Sequence, residues 1–303
     1  MMKFLSPSLF SFLLVIGCLM QSTPVALGDE VIACGWDEVF ILNADPSEGI
    51  SSTKVWSWKA SPSAGLPEHL LNKFRTTDEC KPVEGGQKIL VTSSGGGVAL
   101  LERATGKALF YAYVGNAHSA EILPGSRVVV AGSTHEQGNC LAVFNLDEPE
   151  KVIYSEPLYS GHGVRWDEKH QILWALGYDE LKALRLKNWD SSEPALELLH
   201  SSRLPSDSGH DLIPVPASDD LLITSNSNVY LFDTEQKKFR LHPQLGELPV
   251  VKSVSIHPLT GQTIYTQAQG ENWWTDTIHM LNPDGKLQLP GERLYKVRWL
   301  VNE

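Results

Sequence analysis

A short apolar strand, often ending in an Asp or Asn turn, recurs six times along this chain. The copies are Val39 to Asp45, Val98 to Glu102, Ala142 to Asp147, Ala183 to Leu186, Val229 to Asp233 and Ile278 to Gly285. Another apolar run precedes each copy, and before five of those runs lies an earlier strand with a polar start, at Asp78, His118, His162, His210 and Ser253. A sixth such strand, Tyr295 to Leu300, has nothing after it. The N-terminal part (Val31 to Cys34, Val39 to Leu42, Val55 to Trp58) supplies three strands and lacks the first. From Asp78 to Tyr295 the steps are 40, 44, 48, 43 and 42 residues, the length of a four-stranded propeller blade.

The two ends complement each other. The repeat therefore predicts an all-β, six-bladed β-propeller over residues 29–303, a single domain whose last strand joins the N-terminal three and leaves no open sheet edge. Seven blades is the alternative. Helical periodicity is almost absent. The exception is Leu66 to Phe74, where Pro67 near the start and apolar Leu70, Leu71 and Phe74 predict a short helix linking the clasped blade to the next.

Residues 1–28 read as a secretory signal: Lys3, an apolar core from Leu9 to Met20 too short to span a bilayer, and small residues at Ala26 and Gly28 before a mature start at Asp29. A secreted or periplasmic protein is expected. Val15-Ile16-Gly17-Cys18 offers a lipoprotein box as the alternative, anchored through Cys18. Three cysteines then remain, Cys34, Cys80 and Cys140. An odd number cannot all pair within one chain, and without C-x-x-C spacing they read as buried thiols. With 36 acidic and 25 basic residues the net charge is -11, which argues against a nucleic-acid partner; no other apolar run is long enough to span a membrane. A carbohydrate or another small molecule is the expected ligand.

In a propeller the innermost strands line a central funnel, and ligands bind at its mouth. The starts of those strands bring Asp78-Glu79, His118-Ser119, His162-Gly163, His210-Asp211, Lys252-Ser253 and Tyr295-Lys296 to one opening. His118, His162 and His210 hold nearly the same place in consecutive blades, and two of them follow Ser-Gly. Loops joining the second and third strands add His135, in Gly132 to Asn139, and the pair Trp273-Trp274, in Glu271 to Asp276. His135 also reads as a solvated loop residue. Two adjacent tryptophans in a polar loop suit a sugar ring or a wedge between blades, and Trp36-Asp37 and Tyr178-Asp179 stand at equivalent loops. His257, before Pro258, reads as a turn residue on the opposite face. Lys81, Arg165, Lys252, Lys296 and Arg298 on inner strands are expected to make the funnel locally positive, with Asp78, Lys81 and Arg165 as substrate contacts.

The runs Thr76 to Pro82, Ser93 to Val98, Asn116 to Glu121, Ser160 to Val164 and Asn272 to Trp274 resemble a family of secreted bacterial propeller proteins of uncharacterised function. More distantly, the histidines look like those of the oligogalacturonate lyase propellers. That resemblance implies a divalent metal on His118, His162 and His210, and cleavage of uronic-acid polymers by β-elimination. Glu79 or Asp211 would complete the shell, Mn or Zn suiting such ligands better than Ca. Lys252, Tyr295 or Lys296 would take the proton. Two further readings stay open: a non-catalytic glycan- or peptide-binding propeller, and a quinone-dependent sugar dehydrogenase.

Overall fold

The computed structural model describes Met1 and residues 29–45 and 49–301; the expected signal segment, with Cys18, lies outside the described residues. Among the described residues, 24 strands form six four-stranded antiparallel sheets arranged as propeller blades. The innermost strands of blades 2 to 6 are Thr77–Val83, Ala117–Leu123, Gly163–Asp167, Gly209–Pro214 and Val251–Ile256. Blade 1 takes its innermost strand, Lys296–Leu300, from the far end of the chain. This strand pairs antiparallel with Glu30–Gly35, with Ile32 opposite Arg298.

The reason for six blades in a ring is visible in the burial. A propeller strand packs on both faces, so it is apolar along its length instead of alternating. Arg127–Gly132, the second strand of blade 3, is buried at every residue. Successive residues serve the two neighbouring blades: Ile32 and Cys34 pack with Cys80, Ile89 and Val91 of blade 2, whereas Val31 and Ala33 pack with Ile264 and Ile278 of blade 6. Six such clusters, one at each junction between blades, make up the core. The expected helix is a 3-10 turn, Glu68–Phe74, with Leu70 and Phe74 buried in the cluster between blades 1 and 2. No helix among the described residues is long and apolar enough to cross a membrane.

Closure brings backbone against backbone at Gly35. A Cβ there would stand 1.9 Å from the Arg293 carbonyl oxygen, just ahead of the clasp strand. No side-chain rotation relieves such a contact. Gly35→Ala is therefore expected to lower unfolding free energy by about 2–4 kcal/mol, a clash in the range of severe overpacking; urea unfolding matching the parent would show that the clasp does not approach this closely.

Candidate functional site: a ring of polar side chains at one mouth

One local device repeats at the start of the inner strands. In four blades the pairing with the second strand skips a residue: Asp78 between Thr77 and Glu79, His118 between Ala117 and Ser119, His210 between Gly209 and Asp211, and Lys252 between Val251 and Ser253. The skipped residue is a β-bulge, which re-aims its side chain. Two residues earlier the backbone is left-handed at Asn116, Ser208 and Val250, and Ser160 stands in the same relation to His162. Val250 is the telling case. A β-branched residue seldom adopts positive φ, so the turn is imposed by its place at the mouth. The blade-6 member of the ring is thus Lys252, with Ser253 in the layer below.

These turns gather the imidazoles. The ring centroids of His118 and His162 are 4.2 Å apart, those of His162 and His210 5.6 Å, and Tyr295 meets His118 edge-on at 6.1 Å. The Nδ1 of His118 lies 3.1 Å from the Asn116 carbonyl oxygen and that of His162 lies 2.8 Å from the Ser160 carbonyl oxygen. A carbonyl only accepts, so each Nδ1 carries the proton and each Nε2 keeps its lone pair. His210 differs. Its Nε2 lies 2.6 Å from Asn226 Oδ1 and 2.8 Å from Lys252 Nζ, and its Nδ1 is buried without a hydrogen-bond partner among the described residues.

Burial sets the charges of this layer. It pushes His118 down to about 3, overcoming the bond to Asn116, and holds His162 and His210 well below the usual imidazole range. Burial also pushes Asp78 up to about 8, although the Ser94 amide donates to its carboxyl, and Lys252 down to about 8. Tyr295 is raised well above its ordinary value for the same reason. At neutral pH the ring is three neutral imidazoles, a protonated Asp78, a phenol and one Lys252 cation.

Beneath it lies a second layer of different character. Glu79 and Asp211, from blades 2 and 5, meet Lys296 and Arg298 of the clasp strand: Lys296 Nζ is 3.3 Å from Glu79 and 3.2 Å from Asp211, and Arg298 NH2 is 3.0 Å and 2.7 Å from them. All four are buried, Lys296 completely. Burial alone would raise both acids, but the Arg298 and Lys296 charges hold Glu79 and Asp211 below the usual carboxylate range. Neighbouring inner strands are tied in register through the same layer, Ser119 Oγ, Asp211 Oδ2 and Ser253 Oγ accepting from the amides of Val164, Val254 and Val297.

The expected metal shell does not assemble from these parts. Glu79 and Asp211 are occupied by guanidinium and ammonium groups, and the Lys252 ammonium sits where a cation on His210 Nε2 would have to be. Among the described residues no group of three or more His, Cys, Asp or Glu side chains is arranged to hold a metal ion. Lys296, expected as a base, is fully buried in the ion cluster with its charge stabilised by Asp211 and Glu79, so it has no free lone pair to offer.

The expected substrate contacts divide between two places. Asp78 belongs to the ring. Lys81 and Arg165 stand three residues further along parallel inner strands, about 10 Å away at the opposite end. There Lys81 donates to the Ala120 and Val164 carbonyls and to Glu121. His135 is exposed in its loop, its Nδ1 accepting from the Gln137 amide. Trp273 and Trp274 pack between blades 6 and 1, as one of the two expectations held. Trp273 stacks on Trp36 of blade 1 at 5.2 Å, Trp274 meets Trp36 edge-on, and Arg293 lies over Trp36, yet Trp273 remains 38% exposed and reaches Tyr295 at 5.7 Å. Sequence reasoning missed Tyr159, 62% exposed, which packs on Tyr178 in the turn before the inner strand of blade 4, three residues ahead of His162. The Tyr-Ser-Gly-His run that includes it was the available signal. His257 is the turn residue expected, its Nδ1 accepting from the Leu259 and Thr260 amides.

Sheets and site together define a six-bladed β-propeller with one polar side chain from each blade ringed at a mouth. Among solved structures, a chain from a nidogen/laminin complex superposes with a TM-score of 0.62 at 10% identity, covering 91% of this chain and all of that one, a likeness of fold. The chain belongs to the family of unknown function DUF6528, whose model matches residues 41–303. None of the curated proteins matches it.

Proposed function

We propose that the ringed mouth binds a saccharide. The observation that carries this reading is the pairing of an acceptor-rich floor that bears a single cation, Lys252, with exposed aromatics on the loops beside it, Trp273 and Tyr159. Free Nε2 lone pairs on His118 and His162 accept from sugar hydroxyls, Lys252 attracts a carboxylate or hydroxyl oxygen, and flat rings stack on the apolar faces of pyranoses. His118, pushed down to about 3, and His162 and His210, held well below the usual imidazole range, are poor bases, which favours binding over proton abstraction by histidine.

Titration with neutral and uronic-acid oligosaccharides, followed by tryptophan fluorescence, tests this directly. Trp273→Ala and Tyr159→Ala are each expected to weaken binding about tenfold, the usual worth of a stacked aromatic contact. If no saccharide bound, or if both variants bound as tightly as the parent, the proposal would fall.

One observation supports a catalytic second reading, a metal-free β-elimination on a uronic acid. Lys252, brought down to about 8, and Asp78, brought up to about 8, are tuned as base and acid for work near neutrality. Lys252 as free amine would take the proton beside the carboxyl, the electron pair would form the new double bond, and Asp78 would protonate the departing oxygen. Such turnover would produce an absorbing unsaturated sugar and would be abolished in Lys252→Met; a substrate recovered intact leaves the binding function alone.

A further inference from the structure

The opposite end of the inner strands holds a second site. A cavity of about 330 Å³ lies on the propeller axis, lined by residues of all six blades and by none of the histidine ring. That volume falls at the lower end for small-molecule sites, fit for a compact ligand and too small for a polymer. Its walls are apolar, made by Pro82, Leu212, Ile213, Pro214, Ile256 and Trp299. Its charged lining residues are Lys81, Arg165 and Arg298 against a single acid, Glu121.

The pairing here is incomplete. Counting the ion cluster above it, four cations (Lys81, Arg165, Lys296, Arg298) face three carboxylates (Glu79, Glu121, Asp211). Lys81, Lys296 and the terminal nitrogens of Arg298 are held at hydrogen-bond distance. Arg165 is not. Its nearest carboxylate oxygen, on Glu121, is 3.7 Å from NH1, and its side chain is 39% exposed. Arg298 also lines the cavity, and its buried Nε has no hydrogen-bond partner among the described residues. Arg165 is therefore the guanidinium with donors to spare at this end of the axis.

We propose that this cavity binds a small organic carboxylate with an apolar body, its carboxylate on the Arg165 guanidinium and its body against the proline, isoleucine and tryptophan wall. The guanidinium fork suits a carboxylate, and the dry walls exclude one that lacks an apolar body. This inference does not rest on the saccharide reading, because the two sites share no residue.

Equilibrium dialysis with labelled octanoate tests it, with octanol as the uncharged analogue and acetate as the charge without a body. Octanoate is expected to bind at one site per chain, with octanol and acetate at least tenfold weaker. Arg165→Gln, on a partly exposed side chain that the core does not need, should weaken octanoate at least tenfold without shifting the melting temperature, and Ile213→Trp should block it by filling the cavity. Lys252→Ala, at the other mouth, should bind octanoate as the parent does. Absence of saturable octanoate binding, equal affinity for octanol or acetate, parent-like affinity in Arg165→Gln, or loss in Lys252→Ala would each overturn the assignment.

Discussion

Arg298→Met is expected to lower the stability of this protein by about 3–5 kcal/mol, the cost of breaking a buried ion pair and leaving charge uncompensated. Arg298 binds Asp211 through both terminal nitrogens, at 2.8 and 2.7 Å, and Glu79 at 3.1 Å. Without it, two buried carboxylates share the single charge of Lys296. The position matters as much as the charge. Arg298 lies on the clasp strand of blade 1, whereas Glu79 and Asp211 belong to blades 2 and 5, so the cluster ties the last strand both to its neighbour and to a blade that does not flank it. The double variant Asp211→Asn/Arg298→Met should recover part of the loss, because one orphaned charge goes with its partner. Urea unfolding measures both. A single-variant loss under about 1 kcal/mol would mean that the cluster is solvated and does not hold the ring.

Unfolding free energy should fall steeply as the pH drops below about 6.5 and level off near neutrality. For the three ring histidines the folded state stays neutral while the unfolded chain takes up protons below about 6.5. His118 remains neutral down to about 3. Stability from these groups is therefore present above 6.5 and is lost as the pH falls. Asp78 works in the other direction. Its folded value, raised to about 8, favours the folded state below about 4, and that contribution is lost as the pH rises to 8. At pH 5, from these four groups, the unfolded state binds three protons on histidine and the folded state one on Asp78, a net difference of two. Unfolding free energy should then rise by about 2.7 kcal/mol per pH unit. Between pH 7 and 8 the loss from Asp78 is offset by Lys252, whose folded value of about 8 lies below its ordinary 10.5, so the curve is nearly flat there. Asp78→Asn keeps an acceptor for the Ser94 amide and should steepen the acid limb, because the one proton that the folded state holds at pH 5 is gone. Replacing the three histidines by glutamine should flatten the acid limb. A melting temperature constant from pH 7 to pH 5 would show that the ring is open to protons.

The blade count and the inner strands were readable because a propeller strand carries its signal locally. Six apolar runs at nearly constant spacing, each with a polar start, have few other solutions, and a missing first strand at one end matches a surplus strand at the other. The convergence of His118, His162 and His210 followed from the same register. The bulges did not, since nothing in the local pattern separates a skipped residue from a paired one; for that reason the blade-6 strand start was read at Ser253, one residue after the ring member Lys252. Tyr159 was missed because an exposed aromatic beside a turn carries no periodicity.

What the chain by itself determined is its architecture: both faces of nearly every inner strand must be covered, and closing the ring is the way to cover them. What the tertiary structure alone decided is which charges meet. Lys296 lies 217 residues from Glu79, and Arg298 lies 87 from Asp211, and only closure brings them together at the axis. That meeting took Glu79, Asp211 and Lys296 out of the chemistry expected of them. It also set Lys81 and Arg165 at the far mouth, because alternate residues of one strand share a direction while three steps along it span the depth of the funnel.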